Sequence, residues 1–422
     1  MKYGKEIPPK FYVNHKIRFY DLHKTYTFVG NFRVMVSRII TEKIKFLATK
    51  YPVVTLTGTR QCGKSTLLKS TFPDYRYVSL EDLDLRMMVK DDPRGFLTNF
   101  GAKTIIDEAQ YVPELFSYIQ TKIDAENETG TYILSGSHNF LLLQNISQSL
   151  AGRTAILKLA PFSIPELKNA GLLPDNINEW LLTGGYPRIY DRQIAPTDFY
   201  PHYIQTYIDR DIRTIREISN LSRFVRFLKL CAARIGQLLN LSSLANEAEI
   251  TVPTANTWLS LLESSYVIFL LKPYHNNFNK RLIKSPKLYF YDTGLVSSLL
   301  GLENAAQLST HYLRGEIFEN MIIAETVKKY FFEGKEPQIY FWRDNNNNEV
   351  DLLLETSTKL QAIEIKSSAT MKNDFFKGLE TFQSISGIEP ENSFVVYGGE
   401  IDYTAKKGKF VSWKNMSEIF GG

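Results

Sequence analysis

Short apolar runs and longer amphipathic stretches alternate through the first half of the chain. Val53-Val54-Thr55-Leu56-Thr57, Tyr75–Leu80, Thr104–Glu108 and Thr131–Gly136 are compact apolar runs, and Leu157-Lys158-Leu159 offers a fifth. Runs of this kind, bounded by turns and separated by helical stretches, predict buried strands of a parallel sheet with right-handed crossovers. Before them, Met35-Val36-Ser37-Arg38-Ile39-Ile40 opens an amphipathic helix predicted to reach about Lys50. Residues 1–34 are rich in tyrosine and phenylalanine without a clear period. They read either as an ordered arm or as an extension upstream of a start at Met35.

The second half has a different rhythm. Residues about 175–275 are mostly helical in pattern. Near their end, helices opening at Leu241 and Val252 are followed by the strand Val267–Leu271, an order that resembles a winged helix-turn-helix. From about residue 310 a helix carrying Glu316 and Glu319 precedes the strands Gln338–Arg343, Glu349–Glu355 and Leu360–Lys366, with Asn345-Asn346-Asn347-Asn348 as a turn. This second α/β pattern predicts a separate domain. The expected division is an arm at 1–34, a parallel-sheet core at 35–170, a helical and winged-helix region at 171–305, and a C-terminal α/β domain at 306–422.

Composition narrows the class. The 422 residues are 44% hydrophobic and 23% charged, which is globular. The net charge of +5 supports a nucleic-acid partner only weakly. Two cysteines, Cys62 and Cys231, build no disulfide framework. No apolar run approaches the roughly 18–20 residues of a membrane span, and the first residues lack the apolar core of a secretory leader. A cytoplasmic protein without a membrane partner is expected.

The chemistry starts at Gly58-Thr59-Arg60-Gln61-Cys62-Gly63-Lys64-Ser65-Thr66. The Gly-x-x-x-x-Gly-Lys-Ser spacing, between a strand and a helix, lets backbone N–H groups face phosphates. Lys64 then neutralises the β- and γ-phosphates, and the Ser65 hydroxyl reaches magnesium. The helix that follows points its positive end at the same anion. At the tip of another strand, Asp107 would orient Mg2+ through water and Glu108 would polarise the attacking water. Asn139 or Ser137 either senses the γ-phosphate or caps a helix. Arg153 is either an arginine finger, which in trans requires a homo-oligomer, or a surface ion pair. Cys62 is either redox-sensitive or a small filler, the latter being the ordinary case.

Together, Leu56–Thr66, Ile106-Asp107-Glu108-Ala109-Gln110, Ser135-Gly136-Ser137, Leu150-Ala151-Gly152-Arg153 and Thr183-Gly184-Gly185-Tyr186-Pro187 resemble the prokaryotic AAA-like ATPases with a carboxy-terminal domain of unknown function. The resemblance spans about residues 35–410. It implies a P-loop NTPase core, a helical and winged-helix middle, and a nuclease-like end, with ATP and Mg2+ as cofactors. Cys62 departs from the small aliphatic residue usual there.

At the C-terminal end, Asp351 falls on one strand and Glu364 and Lys366 on the next, where residues two apart share a face. Two carboxylates there could hold a hard divalent cation, and the lysine could assist a water attacking phosphate. The pattern resembles that of PD-(D/E)xK nucleases, a restriction-endonuclease-like α/β fold. Glu319 sits on the preceding helix, where that fold often adds a carboxylate. Arg343 and Lys366-Ser367-Ser368 add positive charge suited to a phosphate backbone. The alternative is a paired charge cluster on a sheet. In the middle region, Thr254, Asn256 and Thr257 could face a DNA groove, though few lysines or arginines accompany them.

Three functions follow: an ATPase acting on DNA, a nucleotide-dependent switch for a protein partner with an inactive nuclease-like domain, and a metal-dependent nuclease gated by ATP.

Overall fold

The computed structural model describes residues 36–126, 128–136, 139–207, 221–274, 284–356 and 359–420, with backbone alone at 139–141. The N-terminal arm at 1–34 and Ser137 therefore lie outside the described residues.

Five strands, β1 (Val53–Gly58), β2 (Arg76–Ser79), β3 (Thr104–Asp107), β4 (Tyr132–Ser135) and β5 (Thr154–Leu159), form an all-parallel sheet in the order β2-β3-β4-β1-β5. The inner strands β1, β3 and β4 are buried along their whole length. That burial explains why they read as continuous apolar runs rather than alternating ones. Because all strands run the same way, Gly58, Asp107 and Ser135 end at one edge of the sheet.

Helices α1 (Thr41–Ala48), α2 (Lys64–Thr71), α3 (Leu83–Asp91), α4 (Pro93–Phe100), α5 (Leu115–Glu126) and α6 (Asn139–Ser149) accompany these strands. Asp82 and Asp92 cap α3 and α4 by accepting from Leu85 N and Gly95 N. The first helix starts later than the sequence pattern predicts. Arg38 turns its side chain into the core, and Thr41 Oγ1 donates to Arg38 O at 2.6 Å, so the regular turns begin only at Thr41.

Helices α7 (Ile164–Asn169), α8 (Ile177–Thr183), α9 (Pro187–Arg192), α10 (Pro196–Tyr207), α11 (Leu221–Ala232), α12 (Leu241–Glu247) and α13 (Val252–Ser264) make up the middle of the chain. A capping box formed by Ser163 and Glu166 opens α7. Asn240 and Thr251 cap α12 and α13. An antiparallel pair follows, β6 (Ile268–Pro273) with β7 (Lys287–Phe290). Next come α14 (Thr293–Leu299), α15 (Ala305–Thr310) and the long α16 (Arg314–Glu333).

Strands β8 (Ile339–Arg343), β9 (Glu349–Glu355) and β10 (Leu360–Lys366) form an antiparallel meander. Helix α17 (Lys377–Ser386) leads to β11 (Ser393–Tyr397), which lies parallel to β10. Strands β12 (Tyr403–Ala405) and β13 (Gly408–Ser412) complete the edge. This region is hydrogen-bonded to the one before it. Strand β6 pairs in parallel with β8 through Lys272 and Pro273, so the second sheet is one eight-stranded unit in the order β12-β13-β11-β10-β9-β8-β6-β7.

Helix α16 explains how both sheets are held. Ile317, Phe318, Met321, Ile322, Ile323, Val327 and Phe331 bury several of its faces, as expected for a helix enclosed by protein. It packs against β5 of the first sheet and against β7 and β10 of the second.

Candidate functional site

The loop between β1 and α2 has a backbone that only certain residues permit. Gly58 has φ +134°, and a Cβ there would lie 2.0 Å from Leu159 O on the neighbouring strand. Gly63 has φ +92° and leads directly into α2. Gln61, between them, takes a left-handed φ of 58°. The curled chain brings the Lys64 ammonium onto Gly58 O at 3.0 Å and Thr59 O at 2.9 Å. Cys62 is buried and donates its thiol to Leu159 O at 3.4 Å, which is a packing role.

Asp107 is the hub of the acidic strand tip. Its Oδ2 accepts from Ser65 Oγ at 2.6 Å and from Tyr77 OH at 2.6 Å, and its Oδ1 accepts from Ser135 Oγ. Burial and the neighbouring Asp107 push the Tyr77 phenol well above its ordinary range, so it stays a donor. Glu108 follows in a left-handed conformation (φ 53°), and its Oε2 accepts from Gln110 Nε2 at 2.5 Å. Lys64, Ser65, Asp107 and Glu108 thus meet at one sheet edge. Tyr77, Ser135 and Gln110 complete the group; Ser135 and Gln110 belong to the quoted motifs, and Tyr77 carries no motif signal of its own.

Behind the loop sits a buried support that motif reading misses. Arg38 donates from Nη1 to Cys62 O at 2.9 Å, from Nη2 to Ala160 O at 2.6 Å and from Nε to Glu166 Oε1 at 3.0 Å. Its guanidinium also stacks 4.8 Å from the Phe162 ring centroid. The Gly184-Gly185-Tyr186-Pro187 turn closes over the same residues, with Phe162 N donating to Gly185 O at 2.7 Å and Asp292 Oδ2 accepting from Gly185 N at 2.7 Å. On the far side, α16 contributes Lys328, which donates to Phe162 O at 2.9 Å and pairs with Glu325 at 2.7 Å. Glu325 in turn accepts from Ile164 N at 2.8 Å.

Arg153 is not brought to the loop within the chain. Arg153 precedes β5 at the end of the sheet opposite Gly58, since Thr154 pairs with Val53 and Leu159 with Gly58. Within the chain it forms a two-point ion pair with Asp124, at 2.6 and 2.9 Å. This is the surface-pair alternative, and any role at a phosphate requires a second copy of the chain. The backbone of Asn139 begins α6 just beyond β4, but its side chain lies outside the described residues.

The C-terminal set does converge, together with residues the sequence pattern does not single out. Lys366 Nζ lies 2.5 Å from Glu364 Oε1 and 3.8 Å from Asp351 Oδ2, which also accepts from Ile365 N at 2.8 Å. Glu319 on α16 accepts from Tyr289 OH at 2.5 Å and lies 3.3 Å from Lys287 Nζ, both residues standing on β7. Lys287 also pairs with Glu349, and Arg343 sits 3.3 Å from Glu349. Burial pushes the Glu319 carboxyl up to about 7 against the pull of Lys287. Burial, reinforced by the neighbouring Asp351, pushes Glu364 up to about 8. Among the described residues, no group of three His, Cys, Asp or Glu side chains is placed to hold a metal ion. The alternation of Lys287 and Tyr289 in Lys287-Leu288-Tyr289-Phe290 was the available signal for that strand's contribution.

On α13, Asn256 is exposed and Thr254 and Thr257 are half-buried. The helix itself, Val252–Ser264, contains no lysine or arginine.

With this geometry in place, comparison with known proteins defines the class. Residues 50–168 match the AAA domain, residues 174–306 a domain of unknown function (DUF8612), and residues 314–416 a domain of unknown function (DUF4143). The parallel sheet, the glycine loop and the AAA match agree in likening residues 50–168 to a P-loop NTPase domain. An uncharacterized protein of Mycobacterium tuberculosis is 28% identical over 323 residues, covering 76% of this chain and 71% of that one. An uncharacterized protein of Haemophilus influenzae is 23% identical over 333 residues, covering 70% and 80%. Among solved structures, a Walker-type ATPase of Pyrococcus abyssi is 16% identical with TM-score 0.41, covering 63% of this chain and 96% of that one. AMPPCP-bound DnaA from Aquifex aeolicus is 16% identical with TM-score 0.29, covering 53% and 86%. Among the described residues, no helix is long and apolar enough to cross a membrane.

Proposed function

We propose that this chain binds ATP with Mg2+ in the Gly58–Thr66 loop, hydrolyses it, and passes its nucleotide state to the C-terminal sheet. The observation that carries this reading is the contact between the Ser65 hydroxyl and Asp107 at 2.6 Å, beside a lysine folded onto the loop's own carbonyls. A hydroxyl and a carboxylate meeting at an ammonium-bearing glycine loop are a donor set suited to a hydrated magnesium ion and a triphosphate. Ser65 and Asp107 would hold the cation, Asp107 by orienting water. When bound, magnesium neutralises the phosphate oxygens. The backbone N–H groups of residues 58–66 and the start of α2 receive the phosphates, and Lys64 leaves Gly58 O and Thr59 O to meet them. Glu108 takes the proton of the attacking water, with Gln110 holding its carboxylate in place. Asn139 or Ser137 would contact the γ-phosphate, and Arg153 would reach it only from a second copy. Titration calorimetry with Mg-ATP, together with phosphate release, tests the whole assignment. No heat of binding for any magnesium–nucleotide complex would end it.

For the output we favour a nucleotide-dependent switch that acts on a protein partner. The route runs from Cys62 O through Arg38 and Phe162 to Lys328 and Glu325 on α16, the helix that also carries Glu319. Groove binding draws its affinity from lysine and arginine contacts to phosphate, and α13 has neither. The nearby Arg226 and Arg234 are already paired with Glu249 and Glu247. One observation favours the second reading, action on DNA. A helix, a three-stranded meander, a helix and a strand parallel to the third follow one another from α16 to β11, an order suited to a nuclease-like fold. The two readings separate in one assay. DNA-stimulated turnover that falls steeply with salt supports the second, and turnover indifferent to duplex and single-stranded DNA supports the first.

A further inference from the structure

The resemblance to metal-dependent nucleases assigns a divalent cation to Glu319, Asp351 and Glu364, and these side chains do not fit one as they are arranged. A hard divalent cation needs several carboxylate oxygens aimed at one point with water completing the shell. Here each carboxylate is already turned to a cation that belongs to the chain. Lys287 is 3% exposed. Its ammonium contacts Glu319 and Glu349, and the Phe341 ring centroid lies 5.4 Å from it. Tyr289, two residues on and facing the same way, fixes Glu319 from the second position on β7. Lys366 takes Glu364 and Asp351.

We infer that the chain's own ammonium groups, Lys287 on Glu319 and Glu349 and Lys366 on Glu364 and Asp351, hold this cluster in place of the divalent metal that the nuclease pattern calls for. A buried ammonium is retained only when its charge is compensated, and removing one member of such a group leaves the others unpaired at high cost. A divalent ion entering the cluster would have to displace an ammonium tethered by the chain itself. The inference also makes the site composite. One of its cations comes from residue 287, within the segment 174–306, and its four carboxylates, Glu319, Glu349, Asp351 and Glu364, come from within 314–416. It does not depend on the ATP reading, because none of these residues touches the phosphate loop.

The test uses Mn2+ alone, without nucleotide, titrated into the full chain and followed by electron paramagnetic resonance. Comparison with Glu319→Gln subtracts any ion held at the phosphate loop. The wild type is expected to bind no Mn2+ that Glu319→Gln removes. Lys287→Met keeps the aliphatic stem but leaves Glu319 without its cation and Glu349 with Arg343 alone. It should gain a Mn2+ site about tenfold tighter or more, lost again in Lys287→Met/Glu319→Gln. A wild-type Mn2+ site abolished by Glu319→Gln overturns the inference, as does a folded Lys287→Met that gains no site. Should Lys287→Met fail to fold, the comparison of wild type with Glu319→Gln decides alone. A Glu319-dependent Mn2+ signal overturns the inference and its absence supports it.

Discussion

Lys64 and Lys287 are both buried lysines, yet their surroundings give them opposite roles. Lys64 touches two backbone carbonyls and, among the described residues, forms no ion pair. Its charge is left for an incoming anion. Lys287 is held by Glu319 and Glu349, and its charge is used up inside the fold. A buried lysine is therefore a ligand-binding group or a strut according to whether its charge is already balanced. Only the three-dimensional neighbours decide that.

Four changes would break or sharpen this contrast. The largest effect is expected from Glu108→Gln, which keeps the loop intact but removes the acceptor for the water's proton. Turnover should fall by roughly 10²–10⁴ with ATP affinity nearly unchanged, and a variant with normal phosphate release would remove Glu108 from its role. Lys64→Ala should weaken Mg-ATP binding by on the order of 10²–10³ while leaving the melting temperature of the apo chain almost unmoved. Unchanged affinity in a fluorescent-nucleotide titration would erase the difference between the two lysines. Arg38→Met should destabilise the fold by about 3 kcal/mol in denaturant unfolding, because it leaves Glu166 buried without its partner. A loss below about 0.5 kcal/mol would mean that the loop's rear support is dispensable.

The smallest effect concerns the cluster's pH response. The Glu364 carboxyl stands at about 8 in the fold against an ordinary 4.5. The stability tied to its protonated form is therefore complete below about pH 4.5 and is lost as pH rises through about 8. The melting temperature of wild type relative to Glu364→Gln should fall between pH 5 and pH 8, where each kcal/mol corresponds to roughly 2–4 °C. A difference that stays flat across that range would contradict the raised value.

What the sequence made legible follows distance along the chain. Strands β1, β3 and β4 announce themselves because full burial writes an uninterrupted apolar run. The loop at 58–66 is legible because its glycines, lysine and serine are neighbours whose spacing is itself the chemistry. Glu319, Asp351, Glu364 and Lys366 could be grouped because helix and strand order puts them near one face. Arg38 could not be found this way, since Glu166 lies 128 residues away and Ala160 122. Its burial also cut the first helix short, a tertiary demand that overrode the local amphipathic pattern. Lys287 and Tyr289 escaped for a related reason. They sit on β7, a strand the sequence reading does not single out, and nothing local says that it will join the next sheet.

That junction limits how the molecule can move. With β6 hydrogen-bonded beside β8, the hairpin is a rung of the same ladder as the strands bearing Asp351 and Glu364. It cannot swing as an independent reading head without tearing main-chain bonds. Rotation driven from the phosphate loop would have to turn hairpin and meander together as one plate. The yielding points would then be sought where α16 leaves β5, not at the wing.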